Sequence, residues 1–414
     1  MRPFSTGFSA LRTALNRPGQ PGAIARRSTG ATGLGPLRPR VEIPVCAPCP
    51  EPAARDKHLS RGRFLARQDA WDRLAAEFHT AERDRHMTPG LLPVAGLLAS
   101  GARADVMAVA RCAVQRTEPR RARAVLAALD LSMEEQPDCP AIAYVAAMAH
   151  VDLARDWRGA SPPGGLSPQR RDAYNWHMRR AAGLADRYDP FECESPAWAE
   201  VRCALLEADP RPGLRAADDF EDLIDLAPLA VGHYTALGRA MRPKAFGSWE
   251  MLERQARRTA ERTRDLWGAG GYAWVYIGAL EADAEAERRL DAEYFAEGLH
   301  DILARQPSQH MANRLAAFAG LTMGGPSRTG SARRRIADSL GWITQDHLRE
   351  LHPRVWALAP MPGRAHPAET EAEDMVRRGR IRAMSSLAEF YAPALQSGHC
   401  LVFGPKGMSL MRGT

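Results

Sequence analysis

From Ser60 onward apolar residues return every three or four positions, and that period dictates helices. Trp71, Leu74, Ala75 and Phe78 make one stripe, Val106, Val109, Ala113 and Val114 a second, and Ala124, Val125, Ala128 and Leu129 a third. Few segments alternate as strands do. Proline falls at helix starts: Ser167-Pro168 and Ser195-Pro196 each set a capping side chain before a proline at the first helical position. Helices then close at Arg187-Tyr188-Asp189-Pro190 and at Asp225-Leu226-Ala227-Pro228. Between those endings the pattern predicts two helices, Ala197–Ala208 and Leu214–Leu226, joined by Asp209-Pro210-Arg211-Pro212-Gly213. The expected fold class is all-α, built of antiparallel helix pairs.

Pro190 and Pro228 stand about 38 residues apart, within the period of helical-repeat arrays. Tyr144-Val145-Ala146-Ala147-Met148-Ala149 leading to Trp157-Arg158-Gly159, together with the Asp189-Pro190 ending, resembles degenerate tetratricopeptide repeats over residues 138–320. The turn Pro243-Lys244-Ala245-Phe246-Gly247-Ser248 is similar to a Pro-Arg-Trp-Gly-Gly-Ser turn of a bacterial helical-repeat family of unknown function, with Ala245 and Phe246 where that family has Trp-Gly. The resemblance implies an α-solenoid whose concave surface binds an unidentified protein or peptide, and it carries no catalytic residue across.

The division expected is a disordered basic leader over 1–58, a helical-repeat domain over 59–323, a helical extension over 324–395 and a tail over 396–414. Of the 414 residues, 56 are Lys or Arg and 49 Asp or Glu, a net charge of +7. The excess is confined to the first 64 residues, which hold ten arginines and Lys57 against Glu42, Glu51 and Asp56; the body beyond is near neutral. Nucleic-acid or anionic-lipid contact is therefore expected only of the leader, and non-specifically. Phe4, Phe8, Leu11 and Leu15 at helical spacing beside Arg2 and Arg12 suit either an organelle transit peptide or a GC-rich bacterial leader, the latter favoured along with a cytoplasmic location. Seven cysteines in no disulfide-like pattern point to a reducing compartment. The most apolar region, Leu91–Val114, is broken by Arg103, Asp105 and Arg111, which argues against a membrane span.

Motifs that carry chemistry are incomplete. Cys46-Ala47-Pro48-Cys49 offers two of the four ligands zinc needs, and Pro44, Pro48 and Pro50 are read as denying it the helix N-terminus a redox pair uses, so chance is expected. Gly325-Pro-Ser-Arg-Thr-Gly330-Ser331 has a phosphate loop's glycine spacing but Ser331 where the lysine belongs and no preceding strand. His347 and Glu350 share a helix face that omits His352; a solvated end of a helix running from Ser331 to His352 and stopped by Pro353 is expected. His310 and Asn313 share a face and have no assigned role. Catalytic, cofactor-binding and metal-ligating residues are thus expected to be none.

Two features suggest a recognition surface instead. Asp218, Glu221, Asp222 and Asp225 follow helical spacing opposite Ala217, Phe220, Ile224 and Ala227, an acidic face suited to a basic segment such as the leader. Phe246, Trp249, Trp267, Tyr272, Trp274 and Tyr276 crowd one stretch, where aromatics make up only 7% of the chain. They are expected to fill the joint between helix pairs, with function on whichever ring is exposed. The function expected is a protein–protein interaction or scaffold module; the alternative is an enzyme with a pocket near Trp249, Trp274 and the histidines.

Overall fold

The computed structural model describes residues 41–161, 165–213, 215–361 and 367–412. Expectations for the leader before residue 41 lie outside them. The described residues open on strand β1 (Val41–Glu42) and helices α1 (Pro50–Arg67), α2 (Trp71–Arg83), α3 (Val94–Gln115), α4 (Pro119–Glu135), α5 (Pro140–Arg158) and α6 (Pro168–Ala185). Next come α7 (Pro196–Leu205), α8 (Arg215–Leu226), α9 (Val231–Ala240), α10 (Trp249–Arg262), α11 (Arg264–Trp267), α12 (Gly270–Ala282), α13 (Ala292–Arg305) and α14 (Gln309–Ala317). The chain closes with α15 (Ala332–Ala337), α16 (Ser339–Trp342), α17 (Pro353–Leu358), α18 (Ala372–Phe390), α19 (Ala392–Gln396) and strands β2 (His399–Gly404) and β3 (Gly407–Arg412).

The protein is mostly helical, as the period predicts, and its helix starts obey the capping rule. Ser167 Oγ accepts from Arg170 N and Ser195 Oγ from Trp198 N, each followed by its proline. Ser248, Ser308 and Asp291 cap α10, α14 and α13 in the same way. Among the described residues no helix is long and apolar enough to cross a membrane.

Two helices are wrapped by the others. In α5 every residue from Ala141 to Val151 is buried, and in α12 every residue from Gly270 to Leu280. Such a helix shows no apolar stripe because all its faces are core. At the α9–α12 crossing Gly238 and Gly278 let the backbones touch: a Cβ on Gly278 would lie 2.0 Å from Thr235 O, and one on Gly238 1.8 Å from Val275 O. Gly62 and Gly101 meet the facing backbone of the α1–α3 crossing in the same way.

Several expectations are corrected. Disorder does not extend through 41–58, because Val41 pairs with Leu401 and Pro50 begins α1. The tail beyond 396 is an antiparallel β2–β3 hairpin in register Leu401↔Leu410, whose Leu401 and Phe403 are buried in the core that also holds Trp274 and Leu340. Residues 324–395 share that core. Pro353 starts α17 and does not stop a long helix; α15, α16 and a π-helical turn at Ile343–His347 precede it. The α4 face that packs is Ala122, Leu126, Leu129 and Met133, leaving Ala124 and Ala128 exposed, because an alanine-rich helix gives little contrast between faces. The spacing of Met375, Val376, Ile381, Met384, Leu387 and Tyr391 predicts an amphipathic last helix, but in α18 small Gly379 and Ala383 join Met375 and Leu387 inside, while Ile381 is exposed.

Between α5 and α6, His150 and His177 face each other, Nδ1 to Nδ1 at 2.9 Å, both buried. Burial pulls His150 down to about 4 and, with His150 beside it, His177 down to about 3. Both stay neutral in the fold and take up protons near pH 6.5 once unfolded, so their contribution is complete above about 6.5 and is lost as pH falls toward 4. Each removes up to about 1.4 kcal/mol per pH unit in that window. Denaturant titrations from pH 7 to pH 4 should show this acid slope in the native chain and a flatter one in H150L/H177L; parallel slopes would refute it.

Candidate functional site

The aromatic stretch is interior. Trp267, Tyr272, Trp274 and Tyr276 are fully buried, and Phe246 and Trp249 are half-buried against the same core. The polar tips of Trp267, Tyr272 and Tyr276 are satisfied inside, whereas Trp274 Nε1 is buried without a partner. Trp267 Nε1 and Tyr234 OH both donate to Pro228 O, at 2.8 and 2.7 Å. Tyr272 and Tyr276 donate to Glu253 Oε2 at 2.9 and 2.6 Å, and Glu253 Oε1 accepts from Arg257. Tyr272 and Tyr276 tie α10 and α12 together, and only Phe246 and Trp249 of the six rings keep partial exposure.

The acidic face of α8 also has partners within the chain. Glu221 takes Arg258 and Arg262 of α10 at 2.9 and 2.5 Å, and Asp225 also pairs with Arg262. Asp222 is half-buried and Asp218 exposed. Two of the four acids therefore lie against the charged face of α10 and do not form an open wall. A groove of about 770 Å³ between α6, α7 and α8 is similarly self-neutralised, Arg202 pairing with Asp189 and Arg215 with Asp209 and Asp219.

A different cavity, of about 430 Å³, gathers residues from six parts of the chain. The start of α1 gives Cys49, Glu51 and Arg55, and the turn before α3 gives Gly90 and Leu92. Arg239 comes from α9 and Glu281 from α12. The segment beginning with α14 gives His310, Arg314 and Phe318, and α17 with its approach gives His352, Arg354, Val355 and Leu358. Arg314 lies with its guanidinium carbon 4.6 Å from the centre of the Trp274 ring, so the aromatic core forms the platform behind the cavity.

Charge in this cavity is uneven. Arg239 approaches Glu281 at 3.9 Å, and the same carboxylate is the opposite charge acting on Arg314. Burial pulls both guanidinium groups below their usual range. Arg55 and Arg354 share Glu369 on the outer side, at 3.5 and 2.8 Å, and each keeps a buried Nε with no partner. Glu51 is buried, with Oε2 accepting from Gly90 N at 2.6 Å and Oε1 unpartnered. A Cβ on Gly90 would fall 2.7 Å from the Glu51 carboxyl carbon and 2.9 Å from His310 Nε2, so these two side chains close over the same glycine. Burial, then Arg314 and His352, pulls His310 down to about 4, which leaves a neutral imidazole with an unpartnered Nδ1 at neutral pH.

The far wall is fixed by two side chains of α14. Gln309 donates to His347 O and accepts from Arg349 N, both at 2.8 Å. Asn313, fully buried, donates to Gln309 O and Glu350 O and accepts from His352 N and Trp356 Nε1, at 2.8 to 2.9 Å. All four of its hydrogen-bonding positions are used. His352 is thus a buried, positioned side chain and not the solvated helix end expected, whereas His347 sits half-buried against Trp342.

The cysteine pair is corrected too. Pro50 occupies the first position of α1, the place proline favours, and makes Cys49 the N-cap. The strand-like segment before it is zipped to the His352 loop: Leu351 N donates to Pro44 O at 2.8 Å and Cys46 N to Leu351 O at 2.9 Å. Sequence reasoning missed this because the two segments stand some 300 residues apart. The usable signal was Cys-x-x-Cys followed by Pro and an acid, which reads as a helix start. By contrast, the phosphate-loop-like segment has no spare cation at Arg333, which donates to Thr322 O and Gly324 O.

No protein-family model, curated protein or solved structure matches this chain.

Proposed function

We propose that the protein binds a small organic anion, one with an apolar body and a carboxylate or phosphate head, in the cavity between α1, α9, α14 and α17. The observation that carries this is the convergence of two arginines, Arg239 and Arg314, on Glu281 at the cavity, both pulled down by desolvation, beside an apolar wall of Leu92, Phe318, Val355 and Leu358, with the other carboxylate, Glu51, engaged by Gly90 N. Guanidinium groups drawn partly out of water carry a desolvation cost, and a bound anion offsets it. A volume near 430 Å³ is that of a small-molecule site. His310, neutral and reaching the cavity, gives the site a base, so a reaction on the bound anion is the natural extension. The stacked-pair solenoid suggested by the tetratricopeptide resemblance would put function on a concave protein-binding face; the cavity is the more specific feature and is preferred.

Thermal shift on the full chain with phenyl phosphate, octanoate and inorganic phosphate tests this. An organic anion should raise the melting temperature in a dose-dependent way. Arg239→Met and Arg314→Met should each weaken that response roughly ten- to hundredfold, the worth of a hydrogen bond to a charged group. A chain indifferent to all three, or variants that respond like the native protein, would overturn the reading.

A further inference from the structure

We infer that Cys46, Cys49 and His352 form a zinc site on the wall of this cavity. The two thiols and one imidazole nitrogen lie within 4.8 Å of one another, the single group of three or more such ligands among the described residues. Two sulfurs bound to one zinc at ~2.3 Å stand about 3.8 Å apart, so closing on an ion asks for a contraction of at most about 1 Å. Two thiolates and an imidazole are a donor set for zinc in preference to magnesium or calcium.

The backbone around the three ligands is built and not merely adjacent. Cys46 is pinned to Leu351 by its own N–H, and Cys49 is held as the N-cap of the 18-residue α1. His352 has its N–H on Asn313. His352 Nε2 also lies 3.1 Å from Glu350 Oε1, and Nδ1 is buried without a partner. An imidazole with a carboxylate on one nitrogen and the other free is the arrangement seen where histidine ligates metal.

Burial raises both thiols, Cys49 to about 12. As each Zn–S bond forms, that thiol gives up its proton to solvent, and two protons leave per zinc bound. Three protein ligands leave a fourth position, and since Cys49 and His352 both line the cavity, that position lies at its wall. The inference does not rest on anion binding.

The test uses the full, reduced chain. Stripped by a chelator and returned to Zn2+, it should hold about one zinc per chain by elemental analysis. Co2+ in place of zinc should give near-ultraviolet thiolate charge-transfer bands and tetrahedral visible bands. C46S and C49S should each weaken metal binding at least a hundredfold, and C112S and C400S should leave it unchanged. Absence of the thiolate bands in the native chain overturns the inference whether or not the variants fold, and so does unaltered binding by C46S or C49S. Anion-induced thermal shift measured on metal-free protein reports separately on the arginines.

Discussion

Gly278→Ala should lower the stability of the folded chain by about 3 kcal/mol, even though alanine is the better helix former by about 1 kcal/mol. The new methyl would sit 2.0 Å from Thr235 O and 2.6 Å from Thr235 C, backbone atoms that cannot swing aside. The α9–α12 crossing must open by more than an ångström, and α12 is buried on every face, so the strain spreads into Trp274 and Tyr276. Gly238 makes the reciprocal contact with Val275 O from the other helix. Opening the crossing once relieves both clashes, so the Gly238→Ala/Gly278→Ala pair should cost less than the two single changes added together. Denaturant unfolding of the four proteins measures this; full additivity, or a neutral Gly278→Ala, would show that the helices do not touch there.

Asn313→Ala should cost about 4 kcal/mol and also loosen the site. It leaves His352 N–H, Trp356 Nε1 and Glu350 O without their buried partner, at roughly 1 to 3 kcal/mol each. Because the side chain holds His352 by its backbone N–H and not by its ring, its effect on metal binding comes through position alone. In the fraction that remains folded, zinc affinity should fall as well as stability. Gln309→Ala, which frees Arg349 N and His347 O nearer the surface, should do the same more weakly. Stability and cobalt spectra measured together separate the two effects; an Asn313→Ala protein of native stability would remove the clamp from the account.

Helix boundaries were legible wherever chemistry at the terminus is local. Ser167-Pro168, Ser195-Pro196 and the endings before Pro190 and Pro228 fall where the rules put them, since a cap and a proline act within four residues. Faces were legible where side chains are large, as for Trp71, Leu74, Ala75 and Phe78, all buried. They were misread where packing is done by absence of a side chain: Gly379 would strike Pro353 O with a Cβ, and no hydrophobic stripe announces such a contact. The hairpin around Gly404 and Gly407 was hidden for a related reason, strands of six residues giving too short a period to separate from a frayed end.

The site was the least legible part, because its members come from separate segments and each looks ordinary alone. Cys46 and Cys49 were dismissed for want of further ligands, and His352 for lying off the face of His347 and Glu350; a parallel bridge between Val45 and Leu351 supplies what neither segment contains. His310 and Asn313 sit one helical turn apart, yet one lines the cavity and the other holds the loop behind it. The expected pocket near Trp274 and the histidines is nearest to the cavity described, reached through Arg314 and not through Trp249.

Calorimetric titration of phenyl phosphate into the full chain, native and Arg314→Met side by side, tests the central claim most directly. The cavity predicts saturable binding at one site per chain in the native protein, weakened at least tenfold by a substitution that keeps the side chain's bulk over Trp274. Equal heats from both proteins, or none from either, would contradict it.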